Sequence, residues 1–160
     1  MCGIVGSVNF KLNTNITDDA LLHRGPDAQN SWSDDKVDFR HFRLSILDLT
    51  GGKQPMFLLD DYVVIYNGEI YNHTELRKKY SLLCSTASDT ETLLHLYDKL
   101  GLEFLNEMDA MFAFALFDKR KNQLVIARDR SGKKPLYYYK DNEKFLFASE
   151  LNCLKGLLPL

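Results

Sequence analysis

No stretch of this 160-residue sequence stays apolar for the ~18 residues that a membrane-spanning helix needs. The opening residues, MCGIVGSVNFK, carry neither the basic start nor the long apolar segment of a secretory signal. An excess of one charge is lacking too. The 20 Lys+Arg and 22 Asp+Glu leave a formal net charge of −2, which gives no electrostatic footprint for nucleic acid or an anionic membrane surface. Cysteine is scarce. Cys2, Cys84 and Cys153 are odd in number and form no CxxC pair, which fits a reducing compartment better than a disulfide framework or a zinc site. His23, His41, His73 and His95 show no metal-ligand spacing, so they are expected to be surface or satisfied core groups. Repeats and low-complexity tracts are also missing. What is there is ordinary globular material, 45% hydrophobic and 26% charged, at a length that suits one domain with a real core. These features predict a soluble, compact, cytoplasmic chain.

The patterning alternates short strands with a few helices. Gly3–Phe10 reads as a strand, Thr17-Asp18-Asp19 opens a short helix through His23, and Gly25-Pro26 ends it. Strands follow around 30–33 and 37–47; in the second, Phe39, His41, Arg43 and Ser45 share one face and Phe42, Leu44 and Ile46 the other. Residues 62–66 form the next strand, with Asn67-Gly68-Glu69 as the loop after it and Asn72 capping a helix to about Tyr80. Ser88-Asp89-Thr90-Glu91 matches a capping box ahead of the apolar stripe Leu93, Leu94, Leu96, Tyr97 and Leu100, and Gly101 suits the helix end. Residues 111–117 and 124–127 read as a hairpin, 135–139 and 144–148 as a second, and a last helix starts near Ser149. The sum is a layered α+β fold. The apolar end, Leu157-Leu158-Pro159-Leu160, reads as an edge against which a further domain would pack.

Four positions could carry chemistry. Cys2 follows the initiator methionine, and methionine ahead of a small residue is commonly trimmed. Trimming would place a thiol and a free amine on one residue, with ordinary pKa values of about 8.5 and 7.7–8.0. The amine can then act as general base for its own thiol; while Met1 remains, that amine is locked in a peptide bond. Asn67-Gly68 could supply a side-chain NH₂ and a closely approached backbone N–H to an oxyanion. Arg43, on an otherwise apolar strand, offers a fork for a carboxylate, and Asp89 offers an anion for an ammonium. Each has an ordinary explanation: a small hydrophobe, a turn, a solvated side chain, a helix cap. Only as a set do they exceed it.

That set lies in a longer likeness. Met1-Cys2-Gly3-Ile4-Val5-Gly6, His23-Arg24-Gly25-Pro26-Asp27, Arg43-Leu44-Ser45-Ile46, Asn67-Gly68-Glu69-Ile70-Tyr71-Asn72 and Ser88-Asp89-Thr90-Glu91 follow one another in order. With the run from Met111 to Asp118, Arg128-Asp129, Gly132, Lys134-Pro135-Leu136-Tyr137-Tyr138 and Phe147-Ala148-Ser149-Glu150-Leu151, this resembles the class II glutamine amidotransferase domain. The likeness is strongest to the N-terminal glutaminase half of glutamine-hydrolysing asparagine synthetases, and it covers essentially residues 1–160. It implies a four-layer αββα N-terminal-nucleophile hydrolase sandwich, two antiparallel sheets between helices.

The resemblance also implies roles. Cys2 would attack glutamine, Asn67 and Gly68 would form the oxyanion hole, and Arg43, Leu44, Ile46, Glu69 and Asp89 would join them in holding L-glutamine. No metal or cofactor is expected in this domain. ATP and Mg²⁺ would belong to a synthetase domain absent from these residues, which carry no Gly-rich phosphate loop of their own. Expected partners are L-glutamine and an ammonia-accepting domain or subunit, with neither nucleic acid nor membrane, and a homodimer remains compatible. Other motif residues read better as structure: Arg24–Asp27 as a charged turn ordering the loop near the nucleophile, and Arg128-Asp129 as an ion pair, a structural salt bridge in preference to one supporting the site. A short 6–23 segment, Ala110, Ser131 and Lys133 depart from the pattern and bear on packing and docking rather than on the site. Alternatives are a stand-alone subunit serving another acceptor such as a sugar nucleotide, a non-catalytic glutamine-sensing or docking module, and a different N-terminal-nucleophile peptidase or acylase. Arg43 with Asp89 argues against the last, because together they suit a free amino acid.

Overall fold

The computed structural model describes residues 1–45 and 51–158. The chain runs β1 (Gly3–Val8), α1 (Thr14–Leu21), β2 (Ala28–Ser33), β3 (Val37–Arg43), β4 (Met56–Leu58), β5 (Tyr62–Ile70), α2 (His73–Lys79) and α3 (Asp89–Leu100). It continues through β6 (Ala110–Asp118), β7 (Gln123–Arg128), β8 (Tyr137–Lys140), β9 (Phe145–Ala148) and α4 (Leu151–Leu157). The strands form two wholly antiparallel sheets, a five-stranded one ordered β2-β3-β1-β9-β8 and a four-stranded one ordered β4-β5-β6-β7.

Both sheets are covered on both faces, which is why their central strands read as continuous apolar runs. In β6 the alternation is by size. Ala113, Ala115 and Phe117, with Val63 and Ile65 of the neighbouring β5, face the other sheet, where Ile4, Phe39 and Phe147 meet them. Phe112, Phe114 and Leu116 face outward under α3, whose Leu93, Leu94, Leu96 and Tyr97 are buried against them. On the far side of the five-stranded sheet, Val5, Phe42, Leu146 and Ala148 pack beneath Leu21 of α1 and Cys153, Leu154 and Leu157 of α4. The result is helix, sheet, sheet, helix. Each buried leucine contributes about 1.5–3 kcal/mol, so the α3 stripe alone fixes that helix firmly to β5 and β6.

Several boundaries differ from the sequence reading, each for a local reason. β1 stops at Val8 because Asn9 turns the chain at φ 54°. α1 begins earlier than Thr17. Asn13 caps it by accepting from the Ile16 N–H at 3.3 Å, while Thr17 is buried within it and bonds the Thr14 carbonyl. Ser88 does cap α3, accepting from the Thr90 N–H, but Glu91 does not close the capping box. Its carboxylate instead takes the N–H and hydroxyl groups of Ser85 and Thr86 at 2.6–2.9 Å. Both hairpins form as read. The tyrosine run lies on the exposed edge strand β8, with Tyr138 stacked on Phe145 at 5.9 Å. Leu157 is buried, and residues 159–160 lie outside those described.

Candidate active site

The N-terminal start of β1, the end of β3, the middle of β5 and the start of α3 converge on one pocket. It is lined by Cys2, Arg43, Leu44, Asn67, Gly68, Glu69 and Asp89, together with Met1, Gly52, Gln54, Tyr66, Ser88, Thr90, Met111 and Lys134. The sequence candidates are therefore brought together, with one exception: Ile46 lies outside the described residues.

Cys2 is held just ahead of β1. Its Sγ accepts from the Leu44 N–H at 3.4 Å and lies 3.6 Å from the Leu44 carbonyl. Arg24 donates from Nε to the Cys2 carbonyl at 3.2 Å, while its Nη1 pairs with Glu150 at 2.6 Å. Asp27 accepts from the Ser45 N–H at 2.7 Å, and its own N–H bonds the Arg43 carbonyl at 3.0 Å. Arg24–Asp27 thus clamps the segment carrying Leu44 over the thiol. Gly25 makes this possible, since a Cβ there would overlap the Phe42 backbone. Burial pushes the Cys2 thiol above its ordinary pKa; the Leu44 N–H, the chain's terminal ammonium, Arg43 and Lys134 pull it back down.

Asn67 and Gly68 are not a turn. They continue β5, paired with Ala113 and Phe112 of β6, because β4 is short and pairs only with 62–64. Beyond that point one edge of β5 is open, and side chains take its outward N–H groups. Gln54 Oε1 accepts from Tyr66 N at 2.6 Å, and Asp89 Oδ2 accepts from Ile70 N at 2.9 Å. Since N–H directions alternate along a strand, the Gly68 N–H between them points to the same edge and into the pocket. A Cβ at Gly68 would overlap the Met111 carbonyl oxygen and the Tyr66 ring, so only glycine fits. Beside it, Asn67 is 2% exposed, and its Nδ2 is buried with no hydrogen-bond partner among the described residues. Buried polar groups are rarely left so.

Asp89 begins α3, yet its carboxylate serves more than its own helix. Besides Ile70 N it accepts from the Tyr66 hydroxyl at 3.1 Å. Burial raises its pKa, against the lowering effect of the Ile70 N–H, the Tyr66 hydroxyl, His73 and the Thr90 N–H. Burial followed by the Asp89 charge keeps the Tyr66 phenol protonated well above its usual range. Arg43, the last residue of β3, is buried on the inner face as the strand alternation predicts. Two strand residues before it, His41 reaches across the sandwich to the Tyr66 carbonyl at 3.2 Å. Burial and the Arg43 charge lower the His41 pKa to about 4, so the ring is neutral and Nε2 donates.

Three further residues contribute. Tyr66 and Gln54 fix the edge of β5 and have no local signature beyond an ordinary strand or loop residue; Lys134, part of a motif run but given no site role from sequence, lines the pocket beside Cys2. The expected Arg128–Asp129 ion pair is also corrected. The Asp129 carboxylate instead gathers the N–H groups of Phe112, Lys133 and Lys134 at 2.9–3.2 Å, and these hold its pKa below the usual range against the effect of burial. The fold also brings His95 to Cys84 and Glu91, with ligand atoms within 4.8 Å of one another, none of them among the residues lining the pocket. Glu91 there already serves the Ser85–Thr86 loop. The main pocket can receive a molecule with a carboxylate, an ammonium and an acyl carbon, the last presented between a thiol and amide donors.

Comparisons with known proteins agree with this chemistry. The family model described as a glutamine amidotransferase domain matches residues 1–159. Asparagine synthetase (glutamine-hydrolyzing) 3 of Bacillus subtilis is 41% identical over 167 residues, covering 96% of this chain and 27% of that protein. Asparagine synthetase B (glutamine-hydrolyzing) of Escherichia coli is 39% identical over 171 residues, covering 100% of this chain and 30% of that one. The chain spans only 20–35% of the length of the asparagine synthetase relatives it matches. Among solved structures, the glutamine phosphoribosylpyrophosphate amidotransferase of B. subtilis, complexed with ADP and GMP, superposes with a TM-score of 0.78 at 20% identity. That match covers 98% of this chain and 43% of the other, and it is a likeness of fold.

Proposed function

The chain belongs to the glutamine amidotransferase domain family, and from that premise we propose that it hydrolyses L-glutamine to L-glutamate and ammonia through a γ-glutamyl thioester on Cys2. Its fold is the four-layer N-terminal-nucleophile sandwich. Once Met1 is removed, the freed Cys2 amine takes the thiol proton, and Sγ attacks the side-chain amide carbon. The oxygen of the tetrahedral intermediate gains charge as Asn67 Nδ2 and the Gly68 N–H donate to it. Collapse breaks the C–N bond. The amine returns its proton to the departing nitrogen, which leaves as ammonia. Water, deprotonated by the same amine, then cleaves the thioester and restores the thiol. Arg43 pairs with the substrate α-carboxylate and Asp89 with its ammonium, with Leu44 and Glu69 completing the walls.

The observation that carries this reading is the Asn67 amide, buried without a partner among the described residues and lining the same pocket as Cys2. An inert pocket has no use for it. In the longer protein suggested by the relatives' names, the ammonia would go to an asparagine-forming domain acting on aspartate. ATP and Mg²⁺ would be bound there, and no step above passes through them. Among the described residues no helix is long and apolar enough to cross a membrane, and we place the reaction in the cytoplasm. Acid quenching of Met-free protein during turnover should trap a γ-glutamyl adduct, mapped to Cys2 by peptide mass. Turnover with no adduct on Cys2 removes the thioester route.

A further inference from the structure

We propose that Lys134 is the cation that keeps the processed N-terminal amine of Cys2 neutral, and so fit to act as a base. This deepens the hydrolase reading and rests on it for the identity of the base. Lys134 lies in the turn between β7 and β8 and is only 6% exposed. A lysine buried to that degree is rare without a paired anion. Its backbone is not free to move the charge away: Asp129 holds the Lys133 N–H at 2.9 Å and the Lys134 N–H at 3.0 Å, and also accepts from Phe112 N of β6 at 3.2 Å. The turn is thereby strapped to the sheet that carries the pocket.

From that anchored position the side chain reaches the Cys2 end. Its Nζ lies 3.2 Å from the Met1 Sδ, a weak acceptor and its hydrogen-bond partner among the described residues. Met1 is bonded to the Cys2 nitrogen, and Lys134 and Cys2 line the same pocket, where the Lys134 charge also acts on the Cys2 thiol. Removing Met1 removes that thioether and frees a second basic nitrogen at the same end of the pocket as the Lys134 ammonium. A nearby like charge disfavours protonating that nitrogen, and a general base works best with its pKa near the working pH.

The other charges around Cys2 do not supply this effect as directly. Arg24 is paired with Glu150 at 2.6 Å, and Asp27 is occupied by the Ser45 N–H. Arg43 adds positive charge from β3, but its proposed partner is the substrate carboxylate. Glu69 and Asp89 act with the opposite sign from the same pocket, Asp89 being engaged by Ile70 N and the Tyr66 hydroxyl. Lys134 therefore acts through the amine, not on the substrate.

Titrating the amine of Met-free protein by NMR, with Cys2 isotopically labelled, tests this without any turnover. In the unsubstituted protein it should titrate below the ordinary amine range of about 7.7–8.0. Lys134→Met should raise it by about one pH unit and move the acidic limb of kcat/KM for glutamine upward with it, while Lys134→Arg should keep the low value. An amine at or above the ordinary value in the unsubstituted protein, or an equal value in it and Lys134→Met, overturns the proposal even if Lys134→Met folds poorly in some conditions. A depressed amine pKa in protein that releases no glutamate is still the result expected for Lys134, and it counts against the hydrolase reading alone.

Discussion

Asn67 keeps a buried amide nitrogen without a partner among the described residues, an arrangement that costs about 1–3 kcal/mol wherever nothing ever answers the donor. Removing the amide should therefore leave the fold intact and the chemistry impaired. Asn67→Ala should lower kcat for glutamine hydrolysis by about 10²–10³ with little change in KM and no loss of thermal stability. Steady-state kinetics and a melting curve on one preparation read all three, and an unchanged kcat would remove Asn67 from the oxyanion hole. At this scale the sequence was informative where a residue belonged to a motif, as for Cys2, Arg43, Asn67, Gly68 and Asp89. It was silent where the role depends on distant partners. Helix capping explains Asp89 locally, yet its carboxylate serves Ile70 and Tyr66, 19 and 23 residues away. Lys134 lies in a motif run, but nothing in that run marks it as a pocket residue until the fold buries it beside Met1.

Between elements, the informative contact is His41. It ties β3, which delivers Arg43, to β5, which delivers Asn67, through the Tyr66 carbonyl. Its pKa falls from 6.5 to about 4 on folding, so between those values the unfolded chain binds more protons than the folded one. Stability from this group is thus complete above about pH 6.5 and is lost as pH falls through 4. Denaturation at a series of pH values should show the unsubstituted protein losing on the order of 3 kcal/mol more than His41→Gln across that window. Asp89, whose raised pKa works with the opposite sign, is present in both proteins and cancels. Equal slopes would mean that His41 is not buried neutral. Element identities were readable from alternation and turn residues, but Asn67-Gly68 was not. Asn-Gly favours a hairpin turn, and only the shortness of β4 leaves β5 free to run on as a strand with an open edge.

The whole molecule explains why these residues meet. Two sheets packed face to face bring the end of β3 opposite the middle of β5, and α3 brings Asp89 to the open edge. A layered α+β fold was visible in the mix of short strands and helices, whereas the four layers and the residues that share the pocket were visible only through the motif likeness; β1 and β6, covered on both faces, are apolar on both. Hydrolysis of glutamine at Cys2 in this pocket is tested most directly by glutamate release from L-glutamine by Met-free protein, run beside Cys2→Ala with intact masses recorded. Release that vanishes in Cys2→Ala while its melting temperature holds is the predicted result. Release that persists in Cys2→Ala, or no release from well-folded, Met-free protein, would contradict the account.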